Sequence, residues 1–218
     1  MQLEEMAAFF ERRLSGYDAH MLDEIEGARE FYPFTAAQLP ADPGAAVLDL
    51  GCGTGLELEA YLARCPSARI TGIDLSAAML RVLREKLPDA ALTLIEGSYF
   101  DIPFGEAAFD AAVSAESLHH FTAAEKRPLY EKLRRALRPG GFFLLTDYFA
   151  PSDAEEARMR ADYERLRAAQ SLPDGVFFHY DTPLTVGHET AVLREAGFRT
   201  AEVLGSWGDT ACLKCSVR

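Results

Sequence analysis

Val47-Leu48-Asp49-Leu50-Gly51-Cys52-Gly53-Thr54-Gly55 decides how the rest of the chain is read. The apolar run Ala46 to Leu50 has the character of a buried strand, and three glycines at alternate positions follow it at once. Beyond Gly55, Leu58, Tyr61 and Leu62 recur at helical spacing. Strand, glycine turn and helix together set backbone N–H groups at the carboxyl end of a sheet strand. Open α/β sheets bind nucleotide-like ligands there. Glycine lets such a ligand touch the main chain, because a Cβ would occupy the ligand's volume.

A dinucleotide fingerprint requires G-x-G-x-x-G. Here the third glycine comes one residue early, at Gly55, and Leu56 stands where the fingerprint needs glycine. Asp49 also sets a carboxylate just ahead of the first glycine, where it would repel a pyrophosphate and attract a cationic amino-acid end. With an acidic residue followed by G-x-G-x-G, the stretch resembles the first motif of the class I S-adenosylmethionine-dependent methyltransferases. The similarity runs from about Val47 to Tyr148 and again through the final hairpin. It implies an α/β fold: a Rossmann-like, doubly wound, mostly parallel seven-stranded sheet with an antiparallel last strand. It also implies S-adenosyl-L-methionine as cofactor.

At 218 residues the chain is long enough for one well-buried α/β domain and too short for two. Its net charge of −12 argues against a groove for duplex nucleic acid or an anionic membrane surface, since both need clustered Lys and Arg. The arginines at 134–138 and 158–167 have acidic neighbours or helical spacing and read as solvated helix faces. The four cysteines are scattered, and Cys212-x-x-Cys215 lacks the second pair or histidine partner of a metal site. Glu4, Glu5 and Glu11 rule out a signal peptide, and no apolar run reaches membrane-spanning length. The expectation is a soluble, cytoplasmic monomer or homodimer.

Four segments follow in order. Residues 1–40 are a helical cap, with one helix around Leu3 to Leu14 and a second over Met21 to Phe31 that ends near Pro33. Residues 45–150 are the cofactor-binding core. Its strands are Ala46–Leu50, Arg69–Asp74, Leu92–Glu96, Ala108–Ser114 and Phe142–Tyr148, the last entered through a Leu-Arg-Pro-Gly-Gly turn at 137–141. Residues 151–187 are a lid insertion with a charged helix from Ser152 to Gln170. Residues 188–218 supply a short helix and two strands, Thr200–Gly205 and Cys212–Val217, joined through Ser206-Trp-Gly-Asp209.

Asp74 ends the second strand, where an acidic residue accepts hydrogen bonds from both hydroxyls of a ribose. The resemblance assigns it that role. It also assigns Asp49, Gly51, Cys52, Gly53, Gly55, Leu75, Met79, Ala115 and Tyr17 to the cofactor site. Related enzymes often read G-D-x-x-x-L-P-F after the third strand, with the aspartate on the adenine amino group. This chain has Ser98 at that position, so Gly97, Ser98 and Tyr99 are the expected adenine edge, with no single side chain assigned. Ser114 to Phe121 then faces the methionine part of the cofactor and the acceptor. His119 and His120 are candidate bases there, because imidazole titrates near neutral pH.

The cap and the insertion both leave the core at the cofactor edge. Their aromatic residues suit a lid over a small-molecule acceptor, with Tyr17, Tyr148, His179 and Tyr180 nearest to it. His119, His179, Tyr148 and Tyr180 are the candidate catalytic residues. No metal is expected, since the carboxylate pair plus Asn of catechol-type relatives is missing. The leading function is methyl transfer to a small-molecule acceptor. A tRNA- or protein-directed methyltransferase, an NAD-dependent dehydrogenase and a non-catalytic cofactor-binding module stand as alternatives. The Asn/Asp-Pro-Pro-Tyr/Phe signature of amino-directed nucleic-acid enzymes and a Tyr-x-x-x-Lys pair are both missing from the chain.

Overall fold

The computed structural model describes residues 1–173 and 175–217. Asp174, within the expected 151–187 insertion, and Arg218, at the end of the expected 188–218 segment, lie outside the described residues. Seven strands are present: β1 (Ala46–Leu50), β2 (Arg69–Asp74), β3 (Ala91–Glu96), β4 (Phe109–Ala115), β5 (Leu137–Tyr148), β6 (Thr200–Trp207) and β7 (Thr210–Ser216). They form one sheet in the order β3-β2-β1-β4-β5-β7-β6. Strands β1 to β5 pair in parallel, and β7 lies antiparallel between β5 and β6. The doubly wound sheet and its antiparallel last strand are as the sequence predicts.

Every residue of β1 is buried, which explains its near-continuous apolar reading. Successive side chains serve opposite layers. Leu48 and Leu50 pack with Tyr130, Leu133 and Leu193 on one face of the sheet. Val47 packs with Leu58, Tyr61 and Leu83 on the other. The covering helices are α1 (Met6–Arg13), α2 (Tyr17–Glu24), α3 (Ala28–Gln38), α4 (Leu56–Arg64), α5 (Ala77–Lys86), α6 (Ala123–Ala136), α7 (Asp153–Ala169) and α8 (Val186–Glu195). Hydroxyl caps open several of them. Ser76 accepts the Met79 N–H, Ser152 accepts the Glu155 N–H, and Thr122 with Glu125 closes a full capping box.

Three local readings change. The 137–141 stretch is no turn: it forms the start of β5, and the pairing slips between Phe109 and Ala111 to take up the extra residues. The final hairpin is tighter than expected, because β6 runs on to Trp207 and β7 begins at Thr210. The cap has three helices and not two. The expected helix over Met21–Phe31 breaks at Gly27, where a Cβ would lie 2.4 Å from Trp207. That break turns α3 so that Phe31 and Tyr32 are buried, and Pro33 falls inside the helix.

Candidate active site

The carboxyl ends of β1, β2, β4 and β5 meet along one edge of the sheet. The strand order reverses between β1 and β4, the usual place for a ligand crevice. The three glycines after β1 serve different ends. A Cβ on Gly51 would lie 2.1 Å from the Ser117 hydroxyl, and one on Gly55 would lie 2.4 Å from Leu83. A Cβ on Gly53 would meet only the Gly51 carbonyl, at 4.0 Å. Gly51 and Gly55 are thus required by the protein's own packing, whereas Gly53 opens onto the cleft. Asp74 accepts the Gly53 N–H at 2.9 Å and the Ser76 N–H at 2.8 Å, so one carboxylate holds both the loop and the start of α5. Burial raises its pKa.

Gly51, Gly53, Asp74, Leu75, Met79, Tyr99 and Ser117 line this cleft, together with Met6, Phe10 and Tyr17 from the cap. The cap residues nearly fill it: about 50 Å³ remains. Asp18 of α2 accepts the Thr54 hydroxyl at 2.5 Å and forms an ion pair with Lys86 of α5, which ties the cap to the glycine loop. Asp49 is fully buried, and among the described residues its carboxyl oxygens have no hydrogen-bond partner apart from the neighbouring Glu57 carboxyl. Burial and the neighbouring Glu57 push it well above the usual carboxylate range. This environment disfavours the charged form of Asp49 and so works against the charge attraction expected of it.

Beside the cleft lies a cavity of about 490 Å³. Phe10, Tyr17, Glu116 and His120 line both spaces. Its far wall comes from residues 175–185, which pair with the cap through Met6 N–H to the Phe177 carbonyl and His179 N–H to the Glu4 carbonyl, each at 2.9 Å. His119 Nδ1 lies 2.5 Å from Asp147, and its Nε2 lies 3.6 Å from Asp181. Burial opposes its charged form, but Asp147, Asp181 and Glu116 outweigh that and raise its pKa to about 9. These carboxylates favour its imidazolium form. His120 contacts Asp181 at 3.1 Å, and burial and His119 lower its pKa. The His179 ring stacks on Phe9 at 3.4 Å, and burial and His120 lower its pKa to about 3.

Tyr17, His119, Tyr148 and His179 all line the cavity. Tyr180 does not: its ring stacks on Tyr163 of α7, and only its carbonyl approaches His120. Cys52 lies against Gly72, inside the sheet packing. Ala115 packs with Phe31 and Tyr32 behind the cleft. Ser98 accepts the Phe100 N–H within its own loop, and neither Gly97 nor Ser98 lines the cleft, whereas Tyr99 does.

Glu116, Asp147 and Asp181 did not stand out in the sequence. Glu116 has a left-handed φ of 51°, which sets its side chain between the two spaces, and burial raises its pKa to about 7. Such a backbone costs energy in a non-glycine residue and marks functional positions. Metal-type donor groups were not expected either, yet the fold gathers His119, His120 and Asp181 within 4.8 Å of one another. No residue spacing along the chain signals this group, because Asp181 joins the histidines only through the folded insertion. A further hollow of about 520 Å³ lies where β1 and β5 begin, away from these residues, and its Asp110 and Arg138 bind each other.

Residues 47–141 match the family model of a methyltransferase domain. A methyltransferase of Synechocystis, itself uncharacterized, is 35% identical over 129 residues, 59% of this chain and 59% of that protein. A fatty-acid O-methyltransferase of Mycolicibacterium smegmatis is 37% identical over 119 residues, 54% of this chain and 42% of its own length. The chain spans about half the length of these curated relatives. The structure of a candidate O-methyltransferase from Nostoc punctiforme superimposes with a TM-score of 0.73 at 20% identity, covering 97% of this chain and 61% of that one. Among the described residues no helix is long and apolar enough to cross a membrane.

Proposed function

We propose, from the methyltransferase-domain match over residues 47–141, that the chain is a class I S-adenosylmethionine-dependent methyltransferase that moves a methyl group from S-adenosylmethionine to a small molecule held in the cavity. One observation carries this reading: the open face of Gly53 and the Asp74 carboxylate share a wall with a 490 Å³ cavity. Bound S-adenosylmethionine supplies a methyl group already activated on a sulfonium. The protein's work is then alignment and exclusion of water. Asp74 is placed to accept the ribose hydroxyls, and Gly53 leaves the room a ligand needs against the main chain. Glu116 stands between cofactor and acceptor, where a carboxylate with a pKa of about 7 can take a proton near neutrality. The cavity is of a size that small ligands use, roughly 300–1,000 Å³.

Thermal-shift measurements with S-adenosylhomocysteine and with NAD test the cofactor. The expected result is stabilisation by the first alone. Two charge-assisted hydrogen bonds of about 1.5–3 kcal/mol each make Asp74→Ala weaken S-adenosylhomocysteine binding by about 100- to 10,000-fold. Stabilisation by NAD alone, or unchanged affinity in a folded Asp74→Ala protein, counts against the assignment. Labelled-methyl transfer into metabolite extracts separates an enzyme from a non-catalytic module.

A further inference from the structure

The cavity has a charge pattern that narrows the acceptor. Its lining holds five carboxylates, Glu24, Glu26, Glu116, Asp181 and Asp209, against a single guanidinium, Arg13. That guanidinium lies 3.6 Å over the Phe9 ring. The imidazolium of His119 is shared between Asp147 at 2.5 Å and Asp181 at 3.6 Å, so one positive charge answers two negative ones. Glu116, between the cavity and the cleft, accepts the neutral Thr210 hydroxyl at 3.1 Å and shares the His119 imidazolium, within 4.8 Å, with Asp147, so that one cation answers three carboxylates. Aromatic rings complete the walls: Phe10, Tyr17, Tyr148 and Trp207.

A space lined by unbalanced carboxylates and ring faces stabilises an organic cation twice, through Coulomb attraction and through the ring quadrupoles. The same field opposes a carboxylate or phosphate. An acceptor with an acid group, such as a free fatty acid, would therefore enter against the charge of the lining. A neutral alcohol would neither gain nor lose by it.

We propose that the acceptor of this site is a small organic amine, bound as its ammonium ion with an aryl or alkyl body against the rings. The inference rests on the methyl-transfer reading for its chemistry, though not for its binding. In the reaction Glu116 takes one proton from the ammonium. The freed nitrogen lone pair then forms the N–C bond while the C–S bond opens, the bonding electrons stay on sulfur, and a methylated ammonium results. Glu116 afterwards returns its proton to solvent. The arrangement needs a carboxylate that meets both acceptor and methyl, and Glu116 lines both spaces.

Calorimetry on the whole chain with phenethylamine, phenethyl alcohol and hydrocinnamate tests this, because the three differ mainly in the charge of one end. Each is titrated with and without S-adenosylhomocysteine. The amine is expected to bind at least about tenfold more tightly than the alcohol and the acid least of all, with the preference shrinking as salt is raised. Asp181→Asn and Glu26→Gln, checked for folding by circular dichroism, should each weaken the amine several-fold and leave the alcohol unchanged. Equal binding of amine and alcohol, tighter binding of the acid, or no binding of the amine overturns the assignment. If the amine preference holds but S-adenosylhomocysteine does not bind, the cation site stands and the methyl-transfer reading falls.

Discussion

The cofactor cleft and the acceptor cavity share a wall, but different kinds of structure build them. The cleft is made from the ends of β1, β2 and β4, which are locked in register inside a parallel sheet. The cavity takes half of its lining from α1, α2 and residues 175–185, which lie over the sheet edge and are joined by backbone hydrogen bonds, and the rest from loops and from strand ends of the sheet. Helix α7, which leads into that stretch, buries no residue at all. Its ion pairs are exposed, and such pairs add little to stability. One space thus has fixed walls and the other has movable ones. The movable part also closes the fixed part: Met6, Phe10 and Tyr17 leave about 50 Å³ in a cleft whose ligand needs roughly 300 Å³ or more. For the proposed cofactor to enter this cleft, the cap would have to withdraw.

The sharpest way to break this contrast is to place bulk on the fixed side. Gly53→Val fills ligand space without touching the protein's own atoms, although φ of 47° makes a β-branched residue strained there. S-adenosylhomocysteine binding should fall by more than about 100-fold, a loss of more than about 2.7 kcal/mol, while the protein stays folded. Gly55→Val should do the reverse. Its side chain collides with Leu83, so thermal stability drops first and binding follows. Equal affinity in the wild type and Gly53→Val would mean that the glycine loop is a turn and no more.

The same division explains what was legible in the sequence. The strand ends announce themselves, because apolar runs, glycine spacing and the lone acid after β2 are local signals. Asp74, Gly53 and Tyr99 line the cleft beside those signals. The cavity is assembled from distant segments. Gly27 breaks the cap because Trp207 packs against it, and the Trp207 indole N–H also reaches Glu30 across 177 residues. Asp147 looks like an ordinary residue near the end of β5 until the folded chain brings it to His119. Glu116 shows its role only through its backbone conformation. Tyr180 was expected at the acceptor on its aromatic character, yet that character serves its stacking on Tyr163.

A second test follows from the charges that join the two regions. The pKa of His119 is raised from 6.5 to about 9 in the folded chain, so its stabilisation is complete below pH 6.5 and is lost as pH rises through about 9. The shift corresponds to roughly 3 kcal/mol as an upper bound. At about 2–4 °C per kcal/mol for a chain of this size, Tm should fall by up to about 10 °C between pH 6.5 and 9.5. Glu116, raised from 4.5 to about 7, contributes in the same direction at lower pH: its stabilisation is present below 4.5 and lost through 7. His119→Gln should remove the upper part of the decline and keep the lower part. A wild-type Tm that is flat from pH 6.5 to 9.5 would refute the buried imidazolium.

The smallest expected effect concerns the latch between the regions. Asp18 accepts the Thr54 hydroxyl and pairs with Lys86, which also reaches Glu59 at 2.7 Å. Asp18 is about one-third exposed, so water screens the pair, and its worth is about 1 kcal/mol or less. Asp18→Asn keeps the shape of the side chain and removes its charge. If cap opening admits the cofactor, the observed association rate scales with the fraction of open molecules. Stopped-flow mixing with S-adenosylhomocysteine should then show association about two- to fivefold faster in Asp18→Asn, in proportion to a loss of roughly 0.5–1 kcal/mol. Lys86→Met should act in the same direction, since it removes the other half of the pair. Limited proteolysis gives an independent reading of the same equilibrium: cleavage within residues 1–40 should rise by a similar factor without ligand and be suppressed with it. Association and cleavage rates unchanged in both variants would show that the cap opens without regard to Asp18, and the gate would have to be sought in residues 175–185 instead.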